Sequence, residues 1–330
     1  MSRLSRTVAP WLASLVALGC CAALAQQVSD RGVTEWLMRM QEASRVRSYV
    51  GTFVVSSSAG SMSSARIWHV GNAAQQIERV EVLTGTPRST IRRNEEVMTF
   101  LPEHRLVRSE RRDDLGLFPN ILKSTDTSIP EFYSAKALGS DRVAGFDADV
   151  VQLAPKDALR FGYKIWTEKR SGLVVKLQTL DAEGKVLEQS AFSELQLDTP
   201  IRPEKLTQMM QPPQGWRVER AHAVKTSAAQ EGWSLRTEVA GFKPMSCYKR
   251  PAAQASAPEG AIQWIFSDGL ASVSLFVEPY DRARHQQEGV FAAGATQTLT
   301  RRIDEWWLTA VGEVPAQTLR AFAQSLERRK

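Results

Sequence analysis

Cysteine is scarce in this chain, with three in 330 residues, at positions 20, 21 and 247. Two of these fall in an N-terminal segment that reads as a removable leader, so Cys247 is left alone and no intrachain disulfide is expected. A single thiol of this kind reads as an incidental buried or loop residue rather than a reactive group or a cross-link to a partner. Histidine is equally sparse. His69, His104, His222 and His285 are dispersed, and neither H-x-x-x-H nor C-x-x-C spacing occurs. There is no G-x-S-x-G elbow, phosphate-binding loop or G-x-G-x-x-G turn. The adjacent acids Glu95-Glu96 and Asp113-Asp114 read as solvated turn or strand-end residues. The sequence therefore nominates no catalytic residue, metal ligand or cofactor, and a non-enzyme is expected. After residue 25 no apolar run is long enough to cross a bilayer.

Residues 1–25 carry Arg3 and Arg6, an apolar run from Val8 to Leu24, and Ala23-Leu24-Ala25 before Gln26. This is the pattern of a secretory signal peptide with a small-residue cleavage site. An uncleaved anchor is one alternative; lipidation of Cys20 after Ala17-Leu18-Gly19 is another. Loss of Arg3 and Arg6 lowers the net charge from +6 to +4. So mild an excess, on an exported chain, is no footprint of a nucleic-acid binder. Arginine is nevertheless concentrated between Arg88 and Arg112, with seven against four glutamates. A solvated strand face accounts for this. A basic rim for an anionic lipid headgroup or an acidic peptide is the sharper reading, with Arg92, Arg93, Arg108, Arg111 and Arg112 as candidates.

Apolar periodicity predicts one helix, in which Val33, Trp36, Leu37, Met40 and Ala43 form a stripe, with Ser29 or Asp30 as cap. Short β-rich runs follow at Tyr49–Ser56, Ser64–Val70, Gln75–Leu83, Ser89–Arg93, Glu96–Leu101 and Leu106–Glu110. An irregular apolar stretch over 115–122 interrupts them, and strands resume near Arg142–Ala144 and Asp149–Leu153. Residues 161–195 read as a three-stranded meander around Ser171-Gly172 and Glu183-Gly184 turns. The expected class is α+β, mainly antiparallel β: a large half-open barrel wrapping helices over 26–199, then a smaller α+β domain. Several strands are apolar on both faces. Ordinary core packing explains that, and so does a concave lipid-sized surface. The lining candidates are Trp36, Met40, Phe53, Trp68, Met98, Phe100, Leu117, Phe118 and Ile121.

Prolines 200, 203, 212 and 213 mark a linker over 200–230, with a helical turn at Glu204–Met210. The second domain, 231–330, is expected to contain strands at Trp233–Val239, Met245–Lys249, Ala261–Ser267 and Ala271–Glu278, the last two joined by Ser267-Asp268-Gly269. A terminal helix is expected over Pro315–Arg329, its negative end complemented by Arg328-Arg329-Lys330.

Ordered segments across both domains resemble the RseB/MucB family of periplasmic regulators of the sigma-E envelope-stress factor. They are the helix Glu35–Ala43, Leu117-Phe118-Pro119-Asn120-Ile121-Leu122, Arg142-Val143-Ala144-Gly145 with Val150-Val151, Arg160-Phe161-Gly162-Tyr163-Lys164-Ile165-Trp166, and 180–189. Gly241-Phe242, Phe266-Ser267-Asp268-Gly269-Leu270 and Val311-Gly312-Glu313-Val314-Pro315 complete the set. Residues 250–261 look like a family-variable insertion. The resemblance implies a first domain similar to the LolA and LolB lipoprotein carriers and a periplasmic location. It implies binding of the periplasmic segment of a single-pass anti-sigma factor, shielding of that segment from a site-1 protease, and release by lipopolysaccharide or related lipids. The anti-sigma contact is expected near the hairpin Ile262–Val277, at Trp264, Phe266, Leu270, Val273, Leu275 and Val277. Self-association is a further expectation. A lipid or lipoprotein carrier is the alternative, although it gives the second domain no task.

Overall fold

The computed structural model describes residues 30–72, 75–111, 118–119, 122, 128–220, 223–249 and 261–329. Helix α1 (Asp30–Val46) carries the expected stripe: Val33, Leu37, Met40 and Ala43 are buried, while Met38 faces outwards. Eleven antiparallel strands and one parallel one then build a large first sheet. The strands are β1 (Tyr49–Ser57), β2 (Met62–Gly71), β3 (Gln76–Val82), β4 (Ser89–Arg93), β5 (Glu96–Leu101) and β6 (Leu106–Arg111). After a short helix α2 (Ile129–Phe132) come β7 (Tyr133–Val143), β8 (Phe146–Pro155), β9 (Gly162–Glu168), β10 (Val174–Leu180) and β11 (Val186–Leu197). Helix α3 (Pro203–Gln208) and β12 (Arg217–Arg220) follow, and β12 pairs parallel with β6. The order is β12-β6-β5-β4-β3-β2-β1-β11-β10-β9-β8-β7; the two ends do not meet, so the sheet is a half-open barrel around α1.

The second sheet contains β13 (Val224–Thr226), β15 (Lys243–Lys249), β16 (Ile262–Ser267), β17 (Ser272–Pro279), β18 (Gly289–Ala293), β19 (Thr296–Ile303) and β20 (Trp306–Gly312). Its order is β13-β15-β16-β17-β20-β19-β18. Helix α4 (Ala316–Ser325) covers one face, where Leu319 and Phe322 pack with Phe266, Val273, Leu275 and Leu308. A two-stranded ribbon joins β14 (Trp233–Leu235) to β21 (Leu326–Arg328).

The differences from the sequence reading have local causes. Strand β7 begins at Tyr133, nine residues before the expected strand at Arg142–Ala144, whose end falls in a turn with Ala144 at φ 49°. Its charged Lys136, Asp141 and Arg142 lie on an exposed strand and disguise the alternation. Residues 200–230 carry elements of both sheets, α3 and β12 on the first and β13 on the second. The terminal helix stops at Ser325: Leu326 turns extended, and Arg328 lies over Trp306 at 4.2 Å and Trp233 at 5.5 Å instead of capping a helix. Strands β18 to β20 have no counterpart in the sequence reading.

Candidate functional site

Register decides which predicted lining residues share a surface. Opposed residues in a ladder lie on the same face. Tyr49↔His69, Gly51↔Ile67 and Phe53↔Ala65 therefore put β1 and β2 residues of this set on the α1 side. Following the ladder outwards through Trp68↔Arg79, Arg79↔Ile91, Ile91↔Met98 and Ser89↔Phe100 places Trp68, Met98 and Phe100 on the opposite side. The nine expected residues thus do not line one concavity. Met40 and Phe53 are packed in the cores beneath α1, Trp36 and Phe118 are partly exposed against them, and Phe118 leans on both Phe53 and Phe192. Met98 and Phe100 join Ile91, Val107 and Met210 in a separate cluster on the outer face, beside Trp216 and Val218. Trp68 is flanked by Arg66 and Arg79. Leu117 and Ile121 lie outside the described residues.

The arginine rim divides in the same way. Arg92 lies opposite Glu78 on the α1 side, and Arg108 on that side meets Glu219 at 4.0 Å. Arg93 pairs with Glu96 at 3.2 Å and Arg111 with Glu95 at 2.7 Å. The depression of about 580 Å³ at this end includes Arg93 and Arg111 but also Glu95, Glu96 and Glu110, so it is no anion trap. Arg112 lies outside the described residues. A second depression, about 360 Å³, is lined by Met98, Met210 and Val218 together with Arg220 and the paired Arg93 and Glu96.

The anti-sigma candidates are displaced by the same logic. β16 and β17 sit inside the second sheet, not at its border, and Phe266, Val273, Leu275 and Val277 face α4 as core. Trp264 is half-buried beside Phe266, 4.6 Å between ring centroids. Leu270 is buried too, in the core of the other unit, where it packs with Tyr133 and Tyr163.

That displacement exposes the site which sequence reasoning did not single out. The β16–β17 turn inserts into the first unit at Arg160, in the turn before β9. The Arg160 Nε donates to Asp268 at 2.8 Å, Nη2 donates to the Ala240 carbonyl at 2.6 Å, and Nη1 donates to Asp157. The guanidinium lies between the rings of Phe132 and Phe242, at 4.3 and 4.9 Å. Tyr133 donates its hydroxyl to Asp268 at 3.0 Å, while the other carboxylate oxygen accepts from the Leu270 and Ala271 amides. Both charged side chains are fully buried. Burial pushes the Asp268 carboxyl above its ordinary range; the two turn amides, Arg160 and Tyr133 pull it back. Gly241, at φ +78°, has Arg160 Nη2 only 2.0 Å from where a Cβ would stand. The start of α4 completes the junction: Thr318 donates to the Leu159 carbonyl at 2.7 Å and Gln317 to that of Ala158. The segments that carried the family resemblance, at 160–162, 241–242, 266–270 and 311–315, converge here.

Fold and junction together define a two-unit binding protein: an open antiparallel barrel clamped to a smaller α+β sheet. The sequence matches the MucB/RseB N-terminal domain over residues 32–210 and the MucB/RseB C-terminal domain over 227–327. The chain belongs to the MucB/RseB family. It is 29% identical over 322 residues to the sigma factor AlgU regulatory protein MucB of Pseudomonas aeruginosa, covering 94% of this chain and 96% of that one. It is 25% identical over 295 residues to the sigma-E factor regulatory protein RseB of Haemophilus influenzae, covering 88% and 90%. The Pseudomonas aeruginosa MucA/MucB complex superimposes with a TM-score of 0.68 at 25% identity, over 90% of this chain and 99% of that chain. MucB in complex with MucA(peri) gives 0.67 at 24% identity over the same shares.

Proposed function

We propose that this protein is a periplasmic negative regulator of a sigma-E-type envelope stress response. It binds the periplasmic segment of a single-pass membrane anti-sigma factor of the MucA/RseA kind and shields it from a site-1 protease. Lipopolysaccharide or a related envelope lipid releases it. One observation carries the reading: both units match the family in order across most of the chain, and a relative of this fold has been solved bound to MucA. The leader-like residues 1–25 support export. The family names describe regulators, and the reading is of action by occupancy rather than bond chemistry.

Lipid release requires a lipid to favour one state of the protein over another. The partly exposed Trp36 and Phe118, and the Met98–Met210 depression with Arg220 beside it, support a place for an acyl chain and its headgroup. The test is titration of the purified complex with the anti-sigma periplasmic region. Tight binding and protection from cleavage are expected, with affinity falling as lipopolysaccharide is added. Absence of binding overturns the reading, whereas binding that lipid leaves unchanged removes only the release step.

A further inference from the structure

The two sheets leave strand borders open to very different degrees. β7, at the end of the first sheet, carries Lys136, Asp141 and Arg142 and a register shift at Ala137/Gly139, devices that discourage pairing with another chain. β13 is three residues long and includes a lysine. β18, at the far end of the second sheet, has none of these. Its sequence, Gly289-Val290-Phe291-Ala292-Ala293, contains no charge and no proline, and among the described residues it pairs only with β19. Val290 is 37% exposed and Phe291 47% exposed. Half of its backbone N–H and C=O groups, those not spent on β19, face outwards.

This border is also held rigid. Gly294, in the β18–β19 turn at φ +64°, abuts Ser57, the Leu187 carbonyl and the Glu188 carboxylate of the first unit so closely that a Cβ there would lie 2.8 Å from Ser57 Cβ. The open strand is therefore continuous with the junction between the units. At the same end of the first sheet Met62, which pairs with Ser56, is 75% exposed, and Val186, beside Leu187, is 36% exposed.

We propose that β18 is the docking strand for the anti-sigma periplasmic region, an extended segment of which adds as an eighth strand to the second sheet. The open ladder calls for polypeptide in extended form. The absence of charge along β18 calls for a segment uncharged at its centre, with β-branched or aromatic side chains at two adjacent positions, because Val290 and Phe291 point to opposite faces of the sheet. The proposal rests on the anti-sigma-binding reading and supplies its location.

The experiment is hydrogen–deuterium exchange of the mature chain with and without the purified anti-sigma periplasmic region, alongside binding by Val290→Lys and Ala292→Pro variants. A charge or a proline on an open border blocks strand addition while leaving the existing ladder largely intact. Amides of 289–293 are expected to slow on complex formation, and each variant to bind roughly tenfold or more weakly with a near-native melting temperature. Exchange on the unaltered chain does not depend on either variant folding. Unchanged exchange at 289–293, or undiminished affinity of both variants, overturns the docking strand while the anti-sigma reading stands. Failure of the unaltered chain to bind overturns both. A dimer of the free protein that Val290→Lys disperses, with partner affinity unchanged, assigns the border to a second copy and overturns the proposal.

Discussion

Arg160 is the side chain on which the joining of the two units most depends, because each of its three nitrogens donates a hydrogen bond and both of its faces are covered by rings. Removing one partner of a buried pair strands the other, which costs about 3–5 kcal/mol. Arg160→Met should therefore destabilise the protein by about that much, read as a fall in the urea midpoint. Asp268→Asn should cost less, since the amide oxygen can still accept from the turn, and a double-mutant cycle should show strong coupling. Cys247 predicts the opposite kind of behaviour. Burial, aided by Glu231, pushes its thiol up to about 11, so the folded protein should resist iodoacetamide at pH 8 and be labelled only on denaturation.

Among the elements, those read well from sequence are the ones whose side chains alternate with their burial. α1 and the hairpins β1–β2, β4–β5 and β16–β17 all belong to this group. β7, β18 and β19 were illegible because charges or scant burial along most of each strand leave little alternation to read, and in β20 the adjacent buried Trp307 and Leu308 break the alternation. The predicted lining set is split between two faces for a different reason. Composition shows that Met40 and Met98 are apolar, but only the ladder shows that they lie on opposite sides of one sheet. The junction was half-legible: Arg160, Gly241 and Asp268 all sit in segments that carried the resemblance, yet nothing in one sequence says that they touch. β21 offers a test at this level. Arg328 covers two indole rings, so Arg328→Ala should lose about 0.5–2 kcal/mol and shift tryptophan emission towards the red.

Across the assembled protein the junction mixes attraction and repulsion. Glu188 of the first unit also lies within electrostatic reach of Glu313 of the second. Burial, then the charge of Glu313, raises the Glu188 carboxyl above its ordinary 4.5. The folded state therefore holds that proton more tightly than the unfolded chain does. Its stabilising contribution is complete below pH 4.5 and is lost as pH rises through the raised value. Glu188→Gln should melt higher than the unaltered protein at neutral pH, with the gap closing as pH falls towards 4.5. Calorimetry reads both arms. Arg160→Met should in addition split a shared melting transition into two, since each sheet keeps its own core.

The route of the chain between the sheets has one more consequence. The peptide leaves the first sheet from its outermost strand, β12, and within four residues becomes the outermost strand of the second, β13. One border strand of each sheet is thus tethered to the other across a few residues, much as two tiles share a grout line. The two remote margins are left unlike each other, β7 studded with charge and β18 bare.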